Sequence, residues 1–194
     1  MSPETKANPK KVLTVKARAS FVKVFPGQEE TNDKGEKKFS LTLLFPKDVD
    51  LSALKAAAAA ARKEKWGDNP PKGLKSPFRD GDEKEYDGYA GCIFVSARSK
   101  DQPGVIDADK SAITDPKRFY SGCYCRATLV AFAYDTGTNK GVSFALNNVQ
   151  KLADGEPFSA RTSAEDDFDA VGAATGSAKG AGPAGAGADD FDDF

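Results

Sequence analysis

Over 123–131 every second residue is small and apolar. Cys123, Cys125, Ala127, Leu129 and Ala131 form one set, and Tyr124, Arg126 and Thr128, with Tyr120 before them, form the other. Alternation with period two sends the two sets to opposite faces of a sheet. It predicts a strand over 119–135, the longest in the chain. Leu13, Val15, Ala17, Ala19 and Phe21 alternate with Thr14, Lys16, Arg18 and Ser20 in a strand expected over 11–25. That alternation slips near 22–24, where a bulge or bend is expected. Phe39, Leu41, Leu43 and Phe45 define another strand, closed by Pro46. Ile93, Val95 and Ala97 oppose Phe94, Ser96 and Arg98 in a third, over 89–98. Val142, Phe144 and Leu146 begin a fifth that fades by Leu152, after a hairpin turn at 136–141.

One stretch breaks this rhythm. Residues 56–61 are an uninterrupted alanine run, the best helix former available. A helix is expected over about 51–66, capped by Asp48 or Asp50, with Lys63 and Lys65 at its C-terminal end and Gly67 as its stop. The segments 69–86 and 99–117 read as polar loops. Five strands, tight turns and one helix predict a mainly β chain: a five-stranded OB-fold barrel over 11–161, a fold that commonly binds oligonucleotides.

The formal net charge of −1 hides a segregation. From Thr162 onward eight acidic residues face a single lysine, which leaves 27 basic and 21 acidic residues in 1–161. A basic body suits a polyanion such as nucleic acid. The chain ends in Asp189-Asp190-Phe191-Asp192-Asp193-Phe194, and Glu165-Asp166-Asp167-Phe168-Asp169 repeats the pattern earlier. A core cannot use so much like charge. A Gly/Ala-rich linker over 170–188 precedes the final six residues. A disordered tail over 162–194 is expected, its phenylalanines serving as bait for a basic, apolar pocket on another protein or on this one. As a flexible coil the linker spans on the order of 25 Å. Residues 1–10 are expected to be a flexible lead-in.

Single-strand binders need cations for phosphates and flat rings on which bases stack. The faces opposite the expected core carry both. Lys16 and Arg18 lie on the first strand, Phe94 and Arg98 on the third, and Tyr120, Tyr124 and Arg126 on the fourth; Lys140 follows in the hairpin turn. If these strands share a sheet, the eight residues converge on one concave surface. Alternatively, Phe94 and Tyr124 fill a second small core under the alanine helix.

Other chemistries find little support. There is no histidine, so the commonest general base and metal ligand are missing. Cys92, Cys123 and Cys125 are too few for a structural zinc site, and the last two point to the apolar face as buried thiols. No metal or cofactor is expected, nor a phosphate loop of the Walker type. The acidic run Asp80, Asp82, Glu83, Glu85 and Asp87 leaves a metal-dependent nuclease as a rival reading. An adaptor that binds a host enzyme through its acidic Phe motifs, without DNA, is another. No segment resembles a signal peptide or a membrane span.

Several short motifs carry a resemblance. They include Phe45-Pro46-Lys47-Asp48, Arg79-Asp80-Gly81-Asp82, Tyr89-Ala90-Gly91-Cys92 and Tyr120-Ser121-Gly122-Cys123. Asn139-Lys140-Gly141-Val142, Leu146-Asn147-Asn148-Val149-Gln150-Lys151 and Asp154-Gly155-Glu156-Pro157 complete them. In this order they resemble a family of tailed-phage proteins, long catalogued as a domain of unknown function and associated with single-stranded DNA binding on an OB-fold in phage replication. The resemblance runs from about residue 11 to residue 169. It implies a protein that coats single-stranded DNA in replication or recombination. The unpaired cysteines point to a reduced compartment, for a phage protein the host cytoplasm; no enzyme is expected, and monomer and homodimer both stay open. The acidic ending is similar to the tails of bacterial and phage single-strand binders, which recruit replication proteins and shield the DNA groove. It departs from the hydrophobic-Pro-Phe ending of the bacterial form.

Overall fold

The computed structural model describes residues 8–31 and 35–158. The strands are β1 (Lys11–Leu13), β2 (Ala17–Lys23), β3 (Glu30–Thr31), β4 (Lys37–Pro46), β5 (Arg79–Asp80), β6 (Cys92–Ser99), β7 (Gly104–Ile106), β8 (Tyr124–Asp135) and β9 (Lys140–Ala153). One α-helix, α1 (Ser52–Trp66), lies between β4 and β5. Among these, β2, β4, β6, β9 and β8 close on themselves. β2 runs antiparallel to β4, β4 to β6, β9 to β8, and β8 back to β2, while β6 and β9 are parallel. The result is the expected mainly β fold, a closed five-stranded barrel with one helix.

The alternation found in the sequence fills this barrel. Leu41, Leu43 and Phe45 of β4, Val95 and Ala97 of β6, and Cys125, Ala127, Leu129 and Ala131 of β8 all point inward and are fully buried. α1 packs against β8, β9 and β1, burying Leu54, Ala57, Ala58 and Ala61. Its alanine face lets the helix axis approach closely. Asp50 ties down its start, accepting from the Ser52 backbone N–H at 2.8 Å and from the Ser52 hydroxyl at 2.9 Å. Gly67 ends it, donating its N–H to the Lys63 carbonyl. Among the described residues no helix is long and apolar enough to cross a membrane.

The first strand departs from expectation. The run 11–25 is broken at 14–16, and both pieces pair with β8. Thr14 bridges the break: its N–H donates to the Ala127 carbonyl at 2.9 Å and its hydroxyl accepts from the Ala127 N–H at 3.0 Å. The break shifts the phase by one residue. Val12 and Thr14 therefore turn inward, and Leu13 and Val15 are exposed. The slip expected at 22–24 is a β-bulge between Ser20 and Lys23. The expected loop over 99–117 contains β7, which lies parallel to β9 through Val105 and Val149. The fourth strand begins at Tyr124, so Phe119 and Tyr120 belong to the preceding turn.

Candidate nucleic-acid interface

The outward side chains of five strands form register rows. The first row runs Tyr124 (β8), Arg18 (β2), Leu44 (β4), Phe94 (β6) and Arg79 (β5). Arg18 anchors it. Its Nε donates to the Gly122 carbonyl at 3.2 Å and its Nη2 to the Glu156 carbonyl at 2.7 Å. Its guanidinium also lies 4.2 Å from the Phe158 ring centroid and 5.6 Å from that of Tyr124. Lys16 Nζ approaches Tyr124 at 5.0 Å. Beside this row, Val15, Ala17, Leu44, Pro46, Val49 and Cys92 line an apolar hollow of about 270 Å³, rimmed by Lys16, Arg18 and Tyr124.

The second row is Ser20, Thr42 and Ser96. The Thr42 and Ser96 hydroxyls are 3.0 Å apart, and the Tyr89 hydroxyl donates to Ser20 at 3.2 Å. Tyr89 folds over the sheet from the 81–91 loop, and its ring meets Phe94 edge-on at 5.2 Å. Burial raises the Tyr89 phenol above its ordinary value. Phe94 is only 5% exposed. It was expected as a stacking ring; here it fills a small second core with Leu44 and Tyr89. This core lies under the 81–91 loop, and the side chains buried by α1 belong to the main core. Tyr124 stays outside it.

The third row is Lys23, Ser40 and Arg98. Lys23, Lys38 and Arg98 line a cleft of about 530 Å³ with Glu30 and Thr31. Glu30 pairs with Lys23 at 2.7 Å. That hydrogen bond, with the charges of Lys23 and Arg98, holds its carboxyl below the usual value despite partial burial. Arg98 was expected here; Lys23 and Lys38 were not.

Phe21 was also missed. It was assigned to the apolar face, yet the bulge turns it outward with φ +46° and leaves it 47% exposed. A positive φ is costly for a bulky residue, about 1–3 kcal/mol, and burial does not recover that cost here. Its ring meets Tyr86 edge-on at 5.3 Å, and Tyr86 is 54% exposed. The slip in alternation was the available signal.

The remaining expected residues are tied up by their own partners. Arg126 donates to Gln150 at 2.8 Å across the β8–β9 ladder. Tyr120 donates to the Gly155 carbonyl at 2.9 Å. Lys140 pairs with Asp135 at 3.2 Å at the hairpin end. The structure thus gathers Lys16, Arg18 and Tyr124 and sets Arg98 two rows along the same sheet face. Arg126 follows Tyr124 two residues along β8, Tyr120 is held at Gly155 beside the Tyr124 ring, and Lys140 lies at the hairpin end.

The acidic loop is a clasp. Lys47 reaches Asp80 at 3.0 Å and Asp82 at 2.5 Å, and Asp82 accepts from the Gly91 N–H at 2.6 Å. The two carboxylates push the Lys47 ammonium up to about 12, and Lys47 draws both carboxyls down. The tail residues Asp189, Asp190, Phe191, Asp192, Asp193 and Phe194 lie outside the described residues.

The family described as Enterobacter phage Enc34, ssDNA-binding protein, matches residues 10–178. The chain belongs to this family. Protein p50 of Acyrthosiphon pisum secondary endosymbiont phage 1 is 36% identical over 160 residues, covering 76% of this chain and 86% of p50. Among solved structures, the single-stranded DNA-binding protein from bacteriophage Enc34, in complex with ssDNA, matches with a TM-score of 0.66 at 23% identity. That match covers 77% of this chain and 90% of the Enc34 chain. The single-stranded DNA-binding protein gp2.5 encoded by bacteriophage T7 matches with a TM-score of 0.56 at 12% identity, over 84% of this chain and 99% of its own. At these identities the likeness to the solved structures is one of fold. The tailed-phage family expected from the motifs is therefore the family found.

Proposed function

We propose that this member of the Enc34 family binds single-stranded DNA along the outer face of β2, β4 and β6. The observation that carries the reading is the juxtaposition on β2 of Lys23 and Phe21. Lys23 lines a cleft with Lys38 and Arg98. Two residues before it, Phe21 offers a ring to solvent beside Tyr86. Cations take the phosphates and rings take the bases, with binding largely tolerant of sequence. Lys16, Arg18 and Tyr124 extend the path at the other end of the face. The Enc34 protein's solved complex with ssDNA supports the same ligand class.

The acidic loop has no place in this reading as a catalytic centre: two of its carboxylates, Asp80 and Asp82, are committed to Lys47, and Glu85 and Asp87 line a different pocket. In the same proposal, residues 11–161 form the DNA-binding domain. The acidic segment 162–194 competes for the groove and recruits replication or recombination proteins in the host cytoplasm. The competition rests on opposite charge and the recruitment on Phe191 and Phe194.

Anisotropy of labelled oligo-dT tests both parts, using the full chain and a variant with Asp189, Asp190, Asp192 and Asp193 changed to Asn. Expected are binding that weakens steeply with salt and tighter binding by the variant. Absence of binding by either protein would favour the adaptor reading.

A further inference from the structure

Phe21, Tyr86 and Phe158 wall a pocket of about 300 Å³, at the lower end of the size range of small-ligand sites. Its polar lining includes Ser121 and two exposed carboxylates, Glu85 and Asp87. The pocket adjoins the cationic path: Phe158 stacks on Arg18 at 4.2 Å, and Phe21 stands two residues before Lys23 on β2. A passing strand therefore meets opposite charges on neighbouring sites. Its phosphates are drawn to Arg18 and Lys23 and repelled by Glu85 and Asp87. The group turned toward the pocket must be a base.

The carboxylates also choose among bases. A carboxylate accepts hydrogen bonds and donates none. Cytosine presents an exocyclic amino donor, for which Glu and Asp are the matching acceptors. Thymine presents carbonyl oxygens on either side of its one ring N–H, and these oppose a carboxylate. Stacking on Phe21 or Tyr86 is equal in kind for both. We propose that the pocket is a base-reading subsite that favours cytosine over thymine, superimposing a preference on otherwise tolerant binding. The inference rests on the single-stranded DNA reading above.

Competition between unlabelled oligo-dC and oligo-dT for the full chain tests it, with the Glu85→Gln/Asp87→Asn double variant and Phe21→Ala in parallel. The chain should bind oligo-dC about five-fold more tightly. The double variant should bring the ratio to about one by raising oligo-dT affinity, since each amide gains an N–H donor that suits thymine's carbonyls and loses the charge that repels phosphate. Phe21→Ala should weaken both ligands. A ratio of one in the unaltered chain, or a ratio that survives in the double variant, overturns the subsite while leaving DNA binding intact. Failure to bind either oligonucleotide overturns the underlying function instead.

Discussion

The Arg18 guanidinium donates to the Glu156 carbonyl at 2.7 Å across 138 residues of sequence. One side chain of β2 thereby fixes the turn after β9 and, through Phe158, one wall of the aromatic pocket. Its role is as much structural as electrostatic.

Arg18→Ala should therefore lower stability and DNA affinity together. Losing charge-assisted bonds to Gly122 and Glu156 at a half-exposed site should cost about 1–2 kcal/mol. Arg18→Lys keeps the charge but not the planar fork. It should restore the salt dependence of binding while leaving the urea midpoint near that of the alanine variant. A midpoint unchanged in Arg18→Ala would refute the anchoring role.

Glu30 occupies the cleft made by Lys23, Lys38 and Arg98, where a phosphate would sit on the proposed path. Glu30→Gln should raise oligo-dT affinity a few-fold and steepen the salt dependence by up to about 0.7 as Lys23 is freed. The pH dependence follows from the lowered carboxyl. The Lys23–Glu30 pair stabilises the fold above the unfolded carboxyl's ordinary value, and that contribution is lost as pH falls through the lower folded value. Over the same acid window Glu30 becomes neutral, so affinity should rise toward that of Glu30→Gln. Weaker binding by Glu30→Gln would place the DNA elsewhere.

Gly122 has φ +118°, and a Cβ built there lies 2.2 Å from the Glu156 carbonyl oxygen. Gly155 makes the reciprocal approach, 2.3 Å from the Gly122 oxygen. Both neighbours are backbone and cannot swing away. Gly122→Ala should destabilise by at least about 2 kcal/mol in denaturant titration. A change within a few tenths would mean the turn can open without affecting the barrel.

The three thiols should separate by reactivity. Cys123 and Cys125 are fully buried and Cys92 is half-exposed on the apolar hollow. Burial pushes all three thiols up, Cys125 furthest. A thiol reagent should label Cys92 first and the other two only on unfolding. Cys125→Ser should cost about 1–3 kcal/mol, because a hydroxyl replaces the thiol in an apolar site.

The barrel was legible because its inner faces obey period two over long runs, as at Cys125 to Ala131 and at Leu41 to Phe45. The helix was legible from its alanines and from Asp50. Phe94 was not, since alternation tells which residues share a face but not what folds over that face. The 81–91 loop, carrying Tyr89, decides it. Leu13, Val15 and Phe21 were misplaced because a break and a bulge each shift the phase, and a phase shift moves every following side chain to the other face. Lys23 and Lys38 lay at strand ends, where register with Arg98 depends on pairing that no local pattern encodes.

The ring of strands also imposes an order on the protein's birth. β2 is made well before one of its two neighbours, β8, and β6 before its parallel neighbour, β9. Before β8 emerges the barrel strands can assemble only the sheet β2–β4–β6; β8 then joins β2, but until β9 follows the ring stays open, with unpaired edges on β6 and β8. Such edges template association with other chains. Contacts this distant in sequence also form slowly. The growing polypeptide is therefore most prone to aggregate just before β9 emerges, and closure of the barrel waits for that strand.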